Sequence, residues 1–213
     1  MKYRIILFGS IMIYLSFIQN EVIAQNNPNF KHLIQLGKDS LIQQAIEWLG
    51  DDASLTDFKK VEVKSNGKEI LVSFLNPIKY IPQQSAFYYD VHVYLIENSM
   101  VKSPCANPVD SNLIADTFFK PSEDSNQKIK FVIDAINKNQ NLGQIGNIDE
   151  FEYQMIIREN EQYYEITIWS TQQESEYKID KISGKVFDEQ HATLEPNPFN
   201  DIQNFEILNW KNE

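Results

Sequence analysis

The stretch Lys60-Val61-Glu62-Val63-Lys64-Ser65-Asn66-Gly67-Lys68-Glu69-Ile70-Leu71-Val72-Ser73-Phe74 decides the fold. Val61 and Val63 alternate with charged residues, the pattern of a strand with one buried and one wet face. Asn66-Gly67 supplies the backbone freedom of a tight hairpin turn, and Ile70, Val72 and Phe74 resume the alternation. Upstream, Leu41, Ile42, Ala45, Ile46 and Leu49 recur at helical spacing; Asp39 or Ser40 can cap this helix and Gly50 ends it. The segment before it, residues 25–32, is polar and reads as loose. Downstream comes a long strand with Phe87, Tyr89, Val91, Val93 and Leu95 on one face and Tyr88, Asp90, His92 and Tyr94 on the other, closed by a turn at Glu97-Asn98-Ser99.

The same order then returns. Residues 102–125, with Pro104, Pro108 and Pro121 among Ser, Asn and Asp, read as a linker in which Leu113, Ile114, Phe118 and Phe119 can tuck onto a core. Ser125 precedes a helix with Ile129, Val132, Ile133 and Ile136 on one stripe. Strands follow at Tyr153–Ile157, Tyr164–Ile168 and Tyr177–Ile179, with a turn over Lys181–Gly184 and a last short strand at Val186. The tail, residues 192–213, carries Phe199, Ile202, Phe205, Ile207, Leu208 and Trp210, too apolar to be free, and is expected to pack back onto a domain. The fold class is therefore α+β: two small helix-on-antiparallel-sheet units at 25–101 and 126–191. One larger sheet covered by two helices fits the same pattern.

The first four residues hold Lys2 and Arg4, Ile5–Ile18 is almost wholly apolar, and Val22-Ile23-Ala24 offers a signal-peptidase site before Gln25. This is the arrangement of a secretory signal peptide over residues 1–24. The apolar run falls short of the ~20 residues that span a bilayer as a helix. The expected location is periplasmic or secreted, with no stable membrane anchor after cleavage; an uncleaved anchor and a buried first helix are the competing readings.

The chain of 213 residues has a net charge of −11 and no Lys/Arg-rich stripe, which argues against nucleic acid as a partner. Its one cysteine, Cys105, cannot make an intramolecular disulfide, so packing must hold the fold. His32, His92 and His191 lie outside any compact metal-ligand spacing, and no nucleophile-elbow, phosphate-loop or dinucleotide motif occurs; no cofactor or metal is expected. Asp51-Asp52 reads as solvated surface. Tyr88, Asp90, His92 and Tyr94, sharing one strand face, are the candidate binding residues, since tyrosine is enriched at interfaces. The plainer reading of that face is contact with the other domain or the tail.

The run Tyr163-Tyr164-Glu165-Ile166, followed by Glu176-Tyr177-Lys178-Ile179-Asp180-Lys181-Ile182-Ser183-Gly184-Lys185-Val186-Phe187, resembles the PepSY domain and its PepSY-like relatives. There an aspartate ends one strand of the closing hairpin and a glycine precedes the next. The resemblance spans about residues 126–191; the first half lacks the Asp/Gly hairpin, and a cystatin-like or nuclear-transport-factor-like sheet suits the same order. The leader and the Asn-rich composition resemble exported proteins of Bacteroidetes. PepSY members are associated with restraining peptidases or binding partners outside the cytoplasm. The resemblance thus implies a non-enzymatic module that binds a protein or peptide and restrains a secreted peptidase. The alternatives are a small-ligand carrier, which needs an apolar cavity between helix and sheet, and an enzyme of unrecognised class.

Overall fold

The computed structural model describes residues 28–107, 112–139, 154–169, 173–193 and 205–208. Residues 1–27 (which include the expected signal peptide), residues 140–153 and most of the expected tail lie outside these. The chain opens with two helices, α1 (Pro28–Gln35) and α2 (Lys38–Ile46), the latter extended by a 3-10 turn over Glu47–Leu49. From Pro28 on, the segment read as loose is helical. Pro28 holds the first helical position, where its missing N–H costs nothing, and Phe30, Leu33 and Ile34 pack on the first core. Neither Asp39 nor Ser40 caps α2. Its N-cap is Gly37 at φ +81°, which redirects the chain between the helices, and Asp39 falls in the first turn.

Strands β1 (Lys60–Ser65), β2 (Ile70–Leu75), β4 (Ser85–Tyr94) and β5 (Ser99–Asn107) form an antiparallel meander. After helix α3 (Glu123–Lys138), strands β6 (Gln154–Glu159), β7 (Tyr163–Trp169), β8 (Gln173–Asp180) and β9 (Val186–Thr193) form a second meander with the same neighbour order. Among the described residues there are thus two sheets rather than one larger sheet, and helix-plus-meander occurs twice. The linker expected over 102–125 begins inside β5, because Met100, Lys102 and Ser103 continue the ladder with β4 up to Pro104 and beyond. The last strand, expected to be short, runs eight residues.

Each sheet has a fifth strand, and it comes from the other half of the chain. β3 (Ile78–Ile81), in the excursion between β2 and β4, pairs in parallel with β6, Ile78 to Met155 through Ile81 to Arg158. β10 (Glu206–Ile207), in the tail, pairs with β1 at Lys64 and Ser65, and Leu208 packs on the first core. Of the expected tail, residues 205–208 pack back, onto the first-half sheet. The boundaries 25–101 and 126–191 therefore do not partition the strands.

Three clusters hold this together. Leu41, Ala45 and Leu49 cover Val63, Ile70, Val72, Phe74, Val91 and Val93. Val132, Ile133 and Ile136 cover Tyr80, Met155, Ile157, Ile166 and Ile179. A third cluster, Ile81, Tyr89 and Ile156 with Phe87, Cys105, Phe119 and Trp169, joins the two sheets. Phe118 and Phe119 point opposite ways along an extended segment that bridges to Tyr88. Phe118 meets Phe58 in the first core, while Phe119 stacks on Tyr89 at 5.2 Å in the junction. Of the four apolar residues expected to tuck in here, Phe118 and Phe119 do so; Leu113 and Ile114 are exposed. Two of the turns with positive-φ residues are satisfied by carboxylates. Asp180 accepts from the amides of Ile182 and Ser183 ahead of Gly184 at φ +67°. In the first half, buried Glu69 accepts from the amides of Ile70, Ile96 and Glu97, serving the turn from the neighbouring strand.

Candidate functional site

The candidate face does not survive intact. A β-bulge between Tyr88 and Asp90 breaks the alternation. Tyr88 thereby joins Val91 and Val93 on the helix-covered side, with its ring 5.7 Å from that of Phe118 and Lys102 Nζ 5.6 Å above it. Asp90, His92 and Tyr94 remain on the opposite side. The sequence Tyr88-Tyr89-Asp90 carries no mark of the bulge, which leaves Tyr88 in the first core and brings Tyr89 and Asp90 together on the junction side.

Asp90 is not available to a ligand. Its carboxylate is 2.7 Å from Lys79 Nζ of β3 and accepts from the Asn76 amide at 2.8 Å, so it ties the first sheet to the borrowed strand of the second. His92 Nδ1 lies 2.9 Å from Ser73 Oγ. Burial pushes the imidazole below its ordinary value; Asp90 and Glu62 oppose the shift, and Lys64 and Lys79 add to it. Ser73, His92 and Asp90 do not make a proton relay, since Asp90 is committed to Lys79 and Ser73 is buried. Tyr94 packs edge-on against Phe205 of the tail at 6.3 Å. The plainer reading of this face, contact with the other sheet and with the tail, therefore describes Asp90 and Tyr94.

Two polar constellations escaped the sequence reading. In the first, Glu159 accepts from Tyr80 Oη and Lys181 Nζ, with Lys128 Nζ at 3.4 Å, while the Glu159 carbonyl accepts from Asn107 Nδ2 at 2.6 Å. Five elements converge here: β3, β5, β6, α3 and the turn after β8. Tyr80, Lys181 and Lys128 converge on the Glu159 carboxylate and Asn107 on its carbonyl, which makes the residue a fastening. In the second, Ser175 Oγ lies 2.9 Å from His191 Nδ1, and His191 Nε2 lies 2.6 Å from Glu189. The connectivity is that of a serine–histidine–acid relay. Ser175 is nearly buried, however, and the group sits on the outermost strand pair of a sheet, with Tyr177 edge-on to the imidazole at 5.9 Å. Cross-strand register brings Ser175 opposite His191, so no spacing within either strand foretells it.

Among the described residues no group of three or more His, Cys, Asp and Glu is placed to hold a metal ion. Burial pushes the Cys105 thiol up, away from nucleophilic use. No helix of the described residues is long and apolar enough to cross a membrane. Asp51 and Asp52 are exposed, as expected, and Asp52 pairs with Lys102 at 2.9 Å. Comparison with protein-family models, curated proteins and solved structures finds no match for this chain.

Proposed function

We propose that this chain is an exported, non-enzymatic module that binds a protein or peptide partner. One observation carries the reading. Both sheets already take up an extended segment from a distant part of the chain, β3 along β6 and β10 along β1. A fold that completes its sheets by strand addition has the geometry that peptide-binding sheets use. The alternatives gain less from the structure. The spaces between helices and sheets, where a carrier needs a cavity, are filled by Leu41, Leu49 and Phe74 in one unit and by Val132, Ile136 and Tyr164 in the other. The serine–histidine–glutamate group has a buried serine. Export rests on the N-terminal sequence pattern, and restraint of a secreted peptidase is the specific form that the PepSY resemblance implies.

The test is a pull-down from native envelope and secreted fractions with the folded protein as bait, bound proteins being identified by mass spectrometry. A single stoichiometric protein partner, peptidase or not, is the expected result; loss of activity of a captured peptidase on adding the chain supports restraint. A folded bait that retains nothing overturns the reading and turns attention to small ligands.

A further inference from the structure

The two four-stranded meanders have four edges, β1, β5, β6 and β9, and the chain itself occupies two. β3 lies outside β6, and β10 lies outside β1. The outer edge of β5 is blunted by Pro104. Tyr88, its partner in the register, sends its N–H to Thr117 and its C=O to Phe119 on the far side. The Tyr88–Pro104 pair is therefore not hydrogen-bonded, and the missing N–H of Pro104 falls on the outer edge, where it guards against strand addition. β9 has no such guard past its bulge. Every residue from Phe187 to Thr193 is exposed, and among the described residues no strand pairs with its outer side. The positive φ of Asp188 and its ion pair with Lys178 disrupt the first half of the edge. Gln190, His191, Ala192 and Thr193 continue the ladder beyond it in register with Glu176, Ser175, Glu174 and Gln173.

We infer that the outer edge of β9 over Gln190–Thr193 is a docking site for an extended basic segment of a partner protein, which would add as a sixth strand. The inference rests on the binding reading above and says where and what it binds. Glu176 stands beside Gln190 and Glu174 beside Ala192, on one face of the sheet, and neither glutamate has a cationic partner among the described residues. An added strand lies about 4.8 Å outside β9 and so about 10 Å from β8. A Lys or Arg side chain spans that distance, and the small Ala192 leaves the path to Glu174 open. Residues two apart on the incoming strand would face the two glutamates together, so the selected pattern is basic–x–basic with β-branched residues between. The backbone edge supplies hydrogen bonds and the two carboxylates supply the choice of sequence.

The probe is a fluorescent peptide of alternating lysine and valine, titrated into the full chain and followed by anisotropy, beside an alternating glutamate–valine peptide of equal length. The basic peptide should bind and the acidic one should not. E174Q/E176Q should weaken binding about tenfold or more, and so should N-methylation of the peptide's alternate amides, which removes strand pairing without touching the protein. Equal binding of both peptides, unchanged binding by the double variant, or full-strength binding of both N-methylated registers overturns the site. A partner captured equally by wild type and by E174Q/E176Q leaves the binding reading standing and removes this edge from it. An empty pull-down together with tight, N-methyl-sensitive peptide binding does the reverse.

Discussion

Lys79 and Asp90 form a 2.7 Å ion pair across the junction of the two sheets, with side chains only 6% and 8% exposed. One partner sits on β3, which the first half lends to the second sheet, and the other on β4 of the first sheet. The pair therefore registers the excursion between β2 and β4. Removing one partner strands the other charge in a site that water hardly reaches. Asp90→Asn or Lys79→Met should each lower the unfolding free energy by about 3–5 kcal/mol. The double change Lys79→Met/Asp90→Leu should recover most of that loss. Urea denaturation of the four proteins checks this. A double variant as unstable as the sum of the singles would show that the pair is not coupled.

His92 makes stability depend on pH in a defined direction. Its folded-state pKa lies below the ordinary value of 6.5, chiefly because it is buried. The unfolded chain then binds a proton more readily than the folded one. Stability from this residue is present above the ordinary histidine value and is lost as the pH falls from there toward the folded value. His92→Asn forfeits the Ser73 contact but removes that slope. The urea midpoint of wild type should fall between pH 7.5 and 5.5 more than that of His92→Asn. Parallel slopes would count against the burial of a neutral imidazole.

At Gly184 the backbone demands glycine more than the space does. Gly184 closes the Asp180 turn at φ +67°, and a Cβ built there meets the Phe131 ring at 3.4 Å. The left-handed backbone alone costs a non-glycine residue about 1–2 kcal/mol, so Gly184→Ala should destabilise by at least that amount. Gly50, also at positive φ, has nothing within 4 Å of such a Cβ. Gly50, however, pairs its positive φ with ψ −143°, a backbone essentially closed to residues with a Cβ, so Gly50→Ala should cost at least as much as Gly184→Ala despite the open space, and thermal melts of the two variants make the comparison.

How much of this was legible follows from the range of the interactions. Asn66-Gly67, Asp180 with Gly184, and the stripes of α2 and α3 are readable because their signals lie within a few residues. Even there the details slipped. The cap of α3 is Ser122, whose hydroxyl receives the Ser125 amide, with Ser125 answering from three residues on. Asp90 was the most misleading residue. It looks like an outward strand carboxylate, and only the distant Lys79 and a bulge without a local signature turn it into a junction. β3 was missed because its partner β6 lies more than seventy residues away and the pairing is parallel. A four-residue run such as Ile78-Lys79-Tyr80-Ile81 does not announce the sheet it will join. The Ser175–His191–Glu189 group is hidden for the same reason, since cross-strand register creates it.

Glu159 gives the last prediction, and its sign is opposite to what burial alone dictates. Burial pushes its carboxyl up, but hydrogen bonds from Lys181 and Tyr80 and the charges of Lys128 and Lys181 outweigh that and hold it below the ordinary glutamate value of 4.5. The folded protein therefore releases this proton more readily than the unfolded chain, and the stabilisation is complete above the ordinary value. It is lost as the pH falls through the depressed folded value. Glu159→Gln keeps the shape but not the charge, and leaves Tyr80 and two lysines with a weaker acceptor. Because both lysines are partly exposed, their share is screened, and a loss of about 1–3 kcal/mol at pH 7 is expected. The gap between wild type and Glu159→Gln should narrow as the pH is lowered from 5 to 3, where wild type loses the charge the variant never had. The same substitution loosens the clasp on β3, so amide exchange at Lys79–Ile81 should quicken before that of β7. A gap that stays constant with pH, or exchange that quickens uniformly, would show that Glu159 acts through packing and not as the charged centre of the fastening.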